Sequence, residues 1–255
     1  MEWYIHFSLG VFDMTGLQSW FRGIDLSRII EWLMFAGAAM IAISVHESCH
    51  GLSAWWLGDD TAKRQGRISL NPLRHLDLFG FVMMVVAHFG WARPVPVNPY
   101  RMTRVKSPKL GMALTAAAGP VSNLLLAFSF GIGFYVMLYA GDQKLLYMWA
   151  GYEKAGGLLY YLSDFFYVCM ILNAGLAVFN LIPISPLDGS KILAIVLPEK
   201  AYAQLMRYER YGFFILAALL FTGLLDKPLD FLRMGVLDGV YAVAAPIAKA
   251  VAGIL

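Results

Sequence analysis

Charged side chains are scarce in this chain. Asp, Glu, Lys and Arg make up 15% of its 255 residues, whereas about a quarter is usual in soluble domains. No polar stretch is long enough for a separate soluble domain, and the formal net charge of +3 gives no reason to expect a nucleic-acid partner. Hydrophobic residues make up 59% of the chain, so the composition indicates a membrane protein.

Cysteines are few, and repeats and targeting signals are lacking. The two cysteines, Cys49 and Cys169, lie in apolar stretches, which argues against a disulfide framework. No fixed-period repeat or low-complexity tract is visible, and the first residues, MEWYIHFSLGVF, lack the basic start of a cleavable signal peptide. We expect residues 1–27 to form an interfacial segment and residues 28–255 to form one membrane-embedded domain.

Long apolar runs dominate the rest of the chain. The first, at residues 29–57, would make about 44 Å of helix, which is enough to cross a bilayer. Further long runs lie at residues 110–140, 157–182, 211–226 and 234–255. The pattern predicts an α-helical multi-pass membrane protein with about five to six transmembrane helices.

A shorter apolar run, at residues 79–91, lies between two basic loops. Thirteen residues are too few for an ordinary spanning helix, so we expect this run to dip in and return or to lie in a sheet. The proline-punctuated PVPVNP that follows suggests extended backbone. Together these features predict a small membrane-associated β-region near residues 64–100, whose edge could accept an extended peptide.

The first long run contains the motif His46-Glu47-Ser48-Cys49-His50. Residues four apart lie on one face of a helix, so His46 and His50 can direct two imidazoles to a single zinc ion. Glu47 is then placed to act on a metal-bound water. An ionisable cluster at this depth is costly unless it is paired, solvated or bound to metal, and the motif therefore predicts a functional site.

The distribution of Lys and Arg predicts the orientation of this helix. Thirteen of them fall in three segments and six in three others, and cytoplasmic loops collect basic residues. The basic segments are 58–78, 91–109 and 183–211, and the others are 1–28, 141–156 and 226–233. We therefore expect a cell-membrane protein whose motif helix runs from outside to inside, with His50 about 10 Å from its cytoplasmic end.

Catalytic zinc usually has three protein ligands and a water, so the two histidines need a third residue. Asp188, in NLIPISPLDG, is the best candidate, because the prolines break the preceding helix and the predicted topology puts the carboxylate at a depth similar to His50. A cap at the start of the helix SKILAIVL explains the residue equally well. The spacing alone leaves the two possibilities open.

Asn123 belongs to a stripe of mostly small residues that recur every four positions: Gly111, Thr115, Gly119, Asn123, Ala127 and Gly131. Such stripes let membrane helices pack closely. Asn123 could make a structural interhelical hydrogen bond or could donate to the reacting carbonyl. For Asn173 and Asn180 the structural role is favoured, and His75 and His88 are weaker candidates for any site.

The chain resembles the site-2 protease family of intramembrane zinc metalloproteases. The motifs that carry the resemblance span most of the chain: HESCHG at 46–51, NPLRH at 71–75, GWARPVPVNP at 90–99, AGPVSN at 118–123 and NLIPISPLDG at 180–189. The resemblance implies one zinc ion held by His46, His50 and Asp188, with Glu47 as the catalytic acid/base and Asn123 close to the active site. Residues 28–255 would then be a minimal protease domain, with neither a PDZ insertion nor a nucleotide-sensing domain.

The implied activity is hydrolysis of peptide bonds within or near transmembrane segments of membrane proteins. A metal-ion transporter is the alternative from another class, but it would need ligands on both sides of the membrane and usually a repeat. A catalytically idle metal-binding scaffold is a third possibility, against which the retained Glu47 argues. Substrate identity and oligomeric state do not follow from the sequence.

Overall fold

The computed structural model describes residues 26–77, 79–80, 92–140 and 158–253. The regular secondary structure of these residues is helical. Seven α-helices lie in this part of the chain: α1 (Leu26–Trp56), α2 (Thr61–Arg64), α3 (Pro108–Ala140), α4 (Leu158–Asn180), α5 (Asp188–Ala194), α6 (Glu199–Phe221) and α7 (Asp226–Ala252). Two short 3₁₀ turns, Pro72–Arg74 and Pro99–Arg101, lie in the connections.

Four of these helices are long and apolar enough to cross a membrane: Ile29–Trp56, Pro108–Tyr139, Leu158–Asn180 and Asp226–Ala252. Their 23 to 32 residues correspond to about 35–48 Å of helix, which exceeds the ~30 Å hydrocarbon thickness. The fold is that of a helical membrane protein.

The four long helices alternate in direction. α3 is antiparallel to α1, since Thr115 and Asn123 of α3 contact His50 and His46 of α1, respectively. α3 is also antiparallel to α4, because a Cβ on Gly133, in the last part of α3, would contact Phe166 near the start of α4. α7 therefore has the same direction as α3. A Cβ on Gly131 would lie 2.3 Å from Val240, and Lys249 Nζ lies 5.4 Å from the Tyr139 ring.

The direction of α7 corrects the predicted number of spanning helices. Because α4 and α7 are antiparallel, α4 ends and α7 begins at the same end of the bundle, and α5 and α6 do not carry the chain across. The apolar part of α6, Arg210–Phe221, is also short. The described residues therefore support four spans and do not support five or six.

α3 lies at the centre of the bundle, where it contacts α1, α4, α5 and α7. The predicted stripe is the reason for this close packing, because all six of its residues are buried. Where α3 meets α4 and α7, the core is formed by small and apolar side chains: Ala127, Met170, Ala174, Val240 and Ala244.

The predicted β-region is not supported by the described residues. They contain one isolated antiparallel bridge, between Leu76 and Ala92, and no strand. The reason is that side chains, rather than a neighbouring strand, bind two of the amide groups in residues 94–98: Glu47 accepts from the Val95 N–H and Asp59 from the Asn98 N–H. Pro94 and Pro96 have no N–H, so their edge cannot donate to an added peptide at those positions.

Two predictions concern residues that are mostly outside the described part of the chain. The interfacial segment 1–27 is described only from residue 26, and the short run 79–91 only at residues 79–80. His88 is likewise outside the described residues.

Candidate metal centre and active site

His46 and His50 lie one turn apart on α1, with their Nε2 atoms 3.0 Å from each other. Oδ2 of Asp188 lies 3.2 Å from each of these nitrogens. The three residues are buried and offer ligand atoms that all lie within 4.8 Å of one another. Residues separated by more than a hundred positions thus converge on one point inside the bundle.

The carboxylate of Asp188 faces the histidines and does not cap α5. Leu187 is the residue that precedes the helix, and no side-chain capping hydrogen bond is formed there. The chain turns back after α4 at Pro183 and Pro186, and Gly189 allows this turn because an added Cβ would lie 2.3 Å from the Leu181 carbonyl oxygen. The geometry favours the ligand interpretation of Asp188 over the cap.

Both imidazoles are oriented through their Nδ1 atoms. Nδ1 of His46 lies 2.5 Å from Oδ1 of Asn123, and Nδ1 of His50 lies 2.7 Å from the backbone oxygen of Thr115. A carbonyl oxygen only accepts hydrogen bonds, so both Nδ1 atoms carry hydrogen and both neutral rings present an Nε2 lone pair. This is the arrangement in which protein histidines bind a metal ion.

The chain's own atoms fit a zinc ion at this point. Two nitrogen lone pairs and a carboxylate oxygen face one another, and Asp188 Oδ2 has no hydrogen-bond partner among the described residues. Only a cation satisfies three such acceptors together. Two donors bound to a tetrahedral zinc ion are about 3.3 Å apart, which is close to the separations of 3.0 and 3.2 Å found here.

Oε2 of Glu47 accepts a hydrogen bond of 2.9 Å from the Val95 N–H. Glu47 and His46 both line a cavity of about 280 Å³. The cavity is also lined by the end of α4, by Pro186 and Leu187, and by the loop that contains His75. A carboxylate at the wall of a cavity beside a metal site is placed to exchange protons with a molecule bound there.

Asn123 is fully buried, and both of its polar atoms are engaged. Its Nδ2 donates to the Ala42 backbone oxygen at 3.3 Å and to Asn173 Oδ1 at 2.8 Å, while Oδ1 faces His46. Asn173 continues the chain of amides by donating to the Cys169 backbone oxygen. Asn180 donates to the Leu176 oxygen of its own helix.

Three features of the site were not found by reasoning from the sequence. His75, which the sequence analysis ranks as a weak candidate, is buried and lines the cavity. Gly119 lets α3 reach both imidazoles, because an added Cβ would lie 2.5 Å from Cε1 of His46 and of His50. The position of Gly119 in the small-residue stripe could have indicated this close approach. The third feature is the contact of His50 with the Thr115 backbone oxygen, which no pattern of side chains in the sequence could have indicated.

A buried His-His-Asp group that could hold a metal ion, with its two histidines on a membrane-spanning helix and a glutamate-lined cavity beside it, indicates a membrane-embedded metalloenzyme. The family model for peptidase family M50, the site-2 protease family, matches residues 34–223. The chain belongs to this family, as its motifs predict, and is an intramembrane zinc metalloprotease.

Relatives of known name agree with this membership. The chain is 41% identical over 187 residues to "Putative zinc metalloprotease YwhC" of Bacillus subtilis, covering 72% of this chain and 78% of the relative. It is 27% identical over 212 residues to "Putative zinc metalloprotease Rip2" of Mycolicibacterium smegmatis, covering 80% of this chain and 70% of the relative. No solved structure matches the chain.

Proposed function

We propose that His46, His50 and Asp188 hold the catalytic zinc ion and that Glu47 is the catalytic acid/base. The single observation that carries this proposal is the convergence of the three ligand atoms within 4.8 Å, with Glu47 on the adjoining cavity wall. When bound, zinc polarises the scissile carbonyl and makes water a nucleophile near neutral pH.

Glu47 takes the proton from the attacking water and passes it to the leaving amine. The Val95 N–H, which bonds one carboxylate oxygen, fixes the orientation of this side chain. Asn123 acts as a positioning residue, because its oxygen faces His46 and its nitrogen is fully used by Ala42 and Asn173. A donor role toward the reacting carbonyl would require the nitrogen to leave one of those partners.

The substrate is a transmembrane or membrane-proximal segment of another membrane protein. A helical substrate hides its carbonyls in backbone hydrogen bonds, so it must unwind locally before it can be cut. The cavity beside Glu47, which opens between α1, the end of α4 and the loops at that end, is large enough for part of an extended chain.

The active site lies nearer the cytoplasmic leaflet of the cell membrane. α1 and α4 end, and α3 and α7 begin, at the end of the bundle that contains the metal group. The three basic segments, 58–78, 91–109 and 183–211, belong to that end, and the positive-inside rule places such loops in the cytoplasm.

A metal-ion transporter is not favoured, because the described residues contain one group of potential metal ligands and it lies near one end of the bundle. Transport would need further ligands along a path to the other side.

The proposal is tested by a cleavage assay in detergent or liposomes, with a set of fluorescent transmembrane peptides and the Glu47→Gln variant. We expect one zinc ion per chain in both proteins and a loss of rate of about 10²- to 10⁴-fold in Glu47→Gln. Equal cleavage rates at equal zinc content would overturn the assigned role of Glu47.

A further inference from the structure

Two residues that line the cavity beside Glu47 each carry a buried polar atom that has no role in the proposed mechanism. These atoms are Nδ1 of His75 and Oγ of Ser44, and neither has a hydrogen-bond partner among the described residues. His75 is 1% exposed and Ser44 is 2% exposed. Both residues line the cavity.

The tautomer of His75 follows from its other nitrogen. Nε2 lies 2.7 Å from the backbone oxygen of Ser69, which can only accept, so Nε2 carries the hydrogen. In the neutral ring Nδ1 is then a hydrogen-bond acceptor with a free lone pair. The backbone of His75 is held as well, because its carbonyl oxygen accepts from the Arg93 N–H at 2.8 Å.

Ser44 and His75 come from different parts of the chain and line the same cavity. Ser44 is one turn before Ser48 on α1, and Ser48 Oγ lies 3.3 Å from His75 Nε2. Ser44 is therefore about 5–6 Å along α1 from a residue that contacts the His75 ring. Ser44 is also three residues before Glu47, on a neighbouring part of the helix surface.

Buried polar atoms without partners are rare, because each loses its hydrogen bonds to water on burial. This pair consists of one acceptor and one hydroxyl donor, on residues that line the same cavity as Glu47. An unwound peptide offers the complementary pair, a backbone N–H and a backbone C=O. The Pro94 and Pro96 edge nearby offers no N–H with which a peptide could pair instead.

We propose that His75 and Ser44 bind the backbone of one residue of the unwound substrate, with His75 Nδ1 accepting that residue's N–H and Ser44 Oγ donating to its carbonyl. The inference rests on the proposed function, since it assumes that the cavity beside Glu47 receives the chain to be cut. It makes both side chains substrate-positioning residues that recognise backbone rather than side chains.

Two substitutions of His75 separate this role from a purely structural one. In His75→Gln the amide nitrogen can still reach Ser69, but the acceptor at the Nδ1 position is lost. In His75→Asn an acceptor remains near the Nδ1 position, but the shorter side chain cannot reach Ser69. We expect KM for a fluorescent transmembrane peptide to rise about tenfold in His75→Gln, with kcat little changed.

His75→Asn should keep a KM within about twofold of wild type while its thermal stability falls, because it loses the contacts of Nε2 with Ser69 and Ser48 but keeps an acceptor near the Nδ1 position. If His75 had only a structural role, His75→Asn would be impaired more than His75→Gln in KM, in kcat and in thermal stability. That reverse order would overturn the proposal. Ser44→Ala should raise KM by a similar factor to His75→Gln.

A binding experiment identifies the substrate N–H without turnover. In the Glu47→Gln background, the same peptide is titrated with successive backbone amides near the cleavage site replaced by esters, each of which removes one N–H. One ester should weaken binding about tenfold, and that loss should disappear when His75→Gln is added.

Equal losses at every ester position with and without His75→Gln would overturn the proposal and would point to a bound water as the partner of Nδ1. Failure of the proposed function is seen separately, as undiminished cleavage by Glu47→Gln itself.

Discussion

Nδ1 of His46 lies 2.5 Å from Oδ1 of Asn123, although 77 positions separate the two residues in the chain. This contact sets the tautomer of one metal ligand through a side chain on a different helix. Asn173 orients the Asn123 amide in turn by accepting from its nitrogen. Buried amides on two other helices therefore hold His46 in the orientation that faces the candidate metal site.

Asn123→Leu should weaken zinc binding about 10- to 100-fold, because loss of a partner to a ligating histidine has effects of this size. Zinc affinity measured by competition with a chelator checks this. Ser129→Ala is the matched control on the same helix, since its exposed hydroxyl bonds only the Leu125 backbone oxygen. Unchanged zinc affinity with a lower kcat would instead support the carbonyl-donor role that the sequence left open.

Gly119→Ala should reduce both zinc content and activity about tenfold or more, because its Cβ would lie 2.5 Å from carbons of both imidazoles and neither ring can move without leaving its Nδ1 partner. Gly175→Ala on α4 is the control, as its Cβ would meet nothing within 4 Å. Metal analysis of the two purified variants measures the difference. Full zinc occupancy in Gly119→Ala would mean that α3 and α1 are not held this closely.

Asp188→Asn should weaken zinc binding by more than about 100-fold, because the neutral amide replaces a charged ligand. The expected result is a chain that remains folded but is purified with little zinc. Asp230→Asn removes one negative charge from an exposed pair with Arg233 and should leave zinc content at the wild-type value. If both variants retained zinc equally, the third ligand would have to be another residue.

The parallel arrangement of α3 and α7 places the end of α7 on the opposite side of the membrane from the loop at residues 99–101. Tyr100, in that loop, is 85% exposed. A membrane-impermeant maleimide should therefore label Gly253→Cys in intact cells and Tyr100→Cys only after the membrane is opened. Labelling of both positions from the same side would contradict a four-span bundle.

The histidine pair of the candidate metal centre was predictable because its geometry is local. The four-residue spacing of His46 and His50 fixes a shared helix face, and the motif around Asp188 identified a candidate that spacing alone could not separate from a helix cap. The small-residue stripe likewise predicted the close approach of α3. Each of these signals depends on short-range backbone geometry.

What the sequence did not predict depends on long-range packing. Hydropathy marks residues 211–226 as an apolar run, but the direction of α7 relative to α3 decides whether that run crosses. PVPVNP suggested a sheet, because nothing in the local sequence shows that Glu47 and Asp59 would take the amide groups of Val95 and Asn98. The burial of His75 at the cavity was not evident from the sequence for the same reason.

The absence of N–H groups at Pro94 and Pro96 also matters when many copies of the chain share one bilayer. Extended backbone that is not covered by another strand ordinarily invites pairing with a neighbouring molecule, and such pairing can spread into aggregates. Here the two prolines interrupt the series of N–H groups that a second copy of the chain would need for pairing. The segment that orients Glu47 can therefore stay extended without pairing with the same segment of a neighbouring molecule.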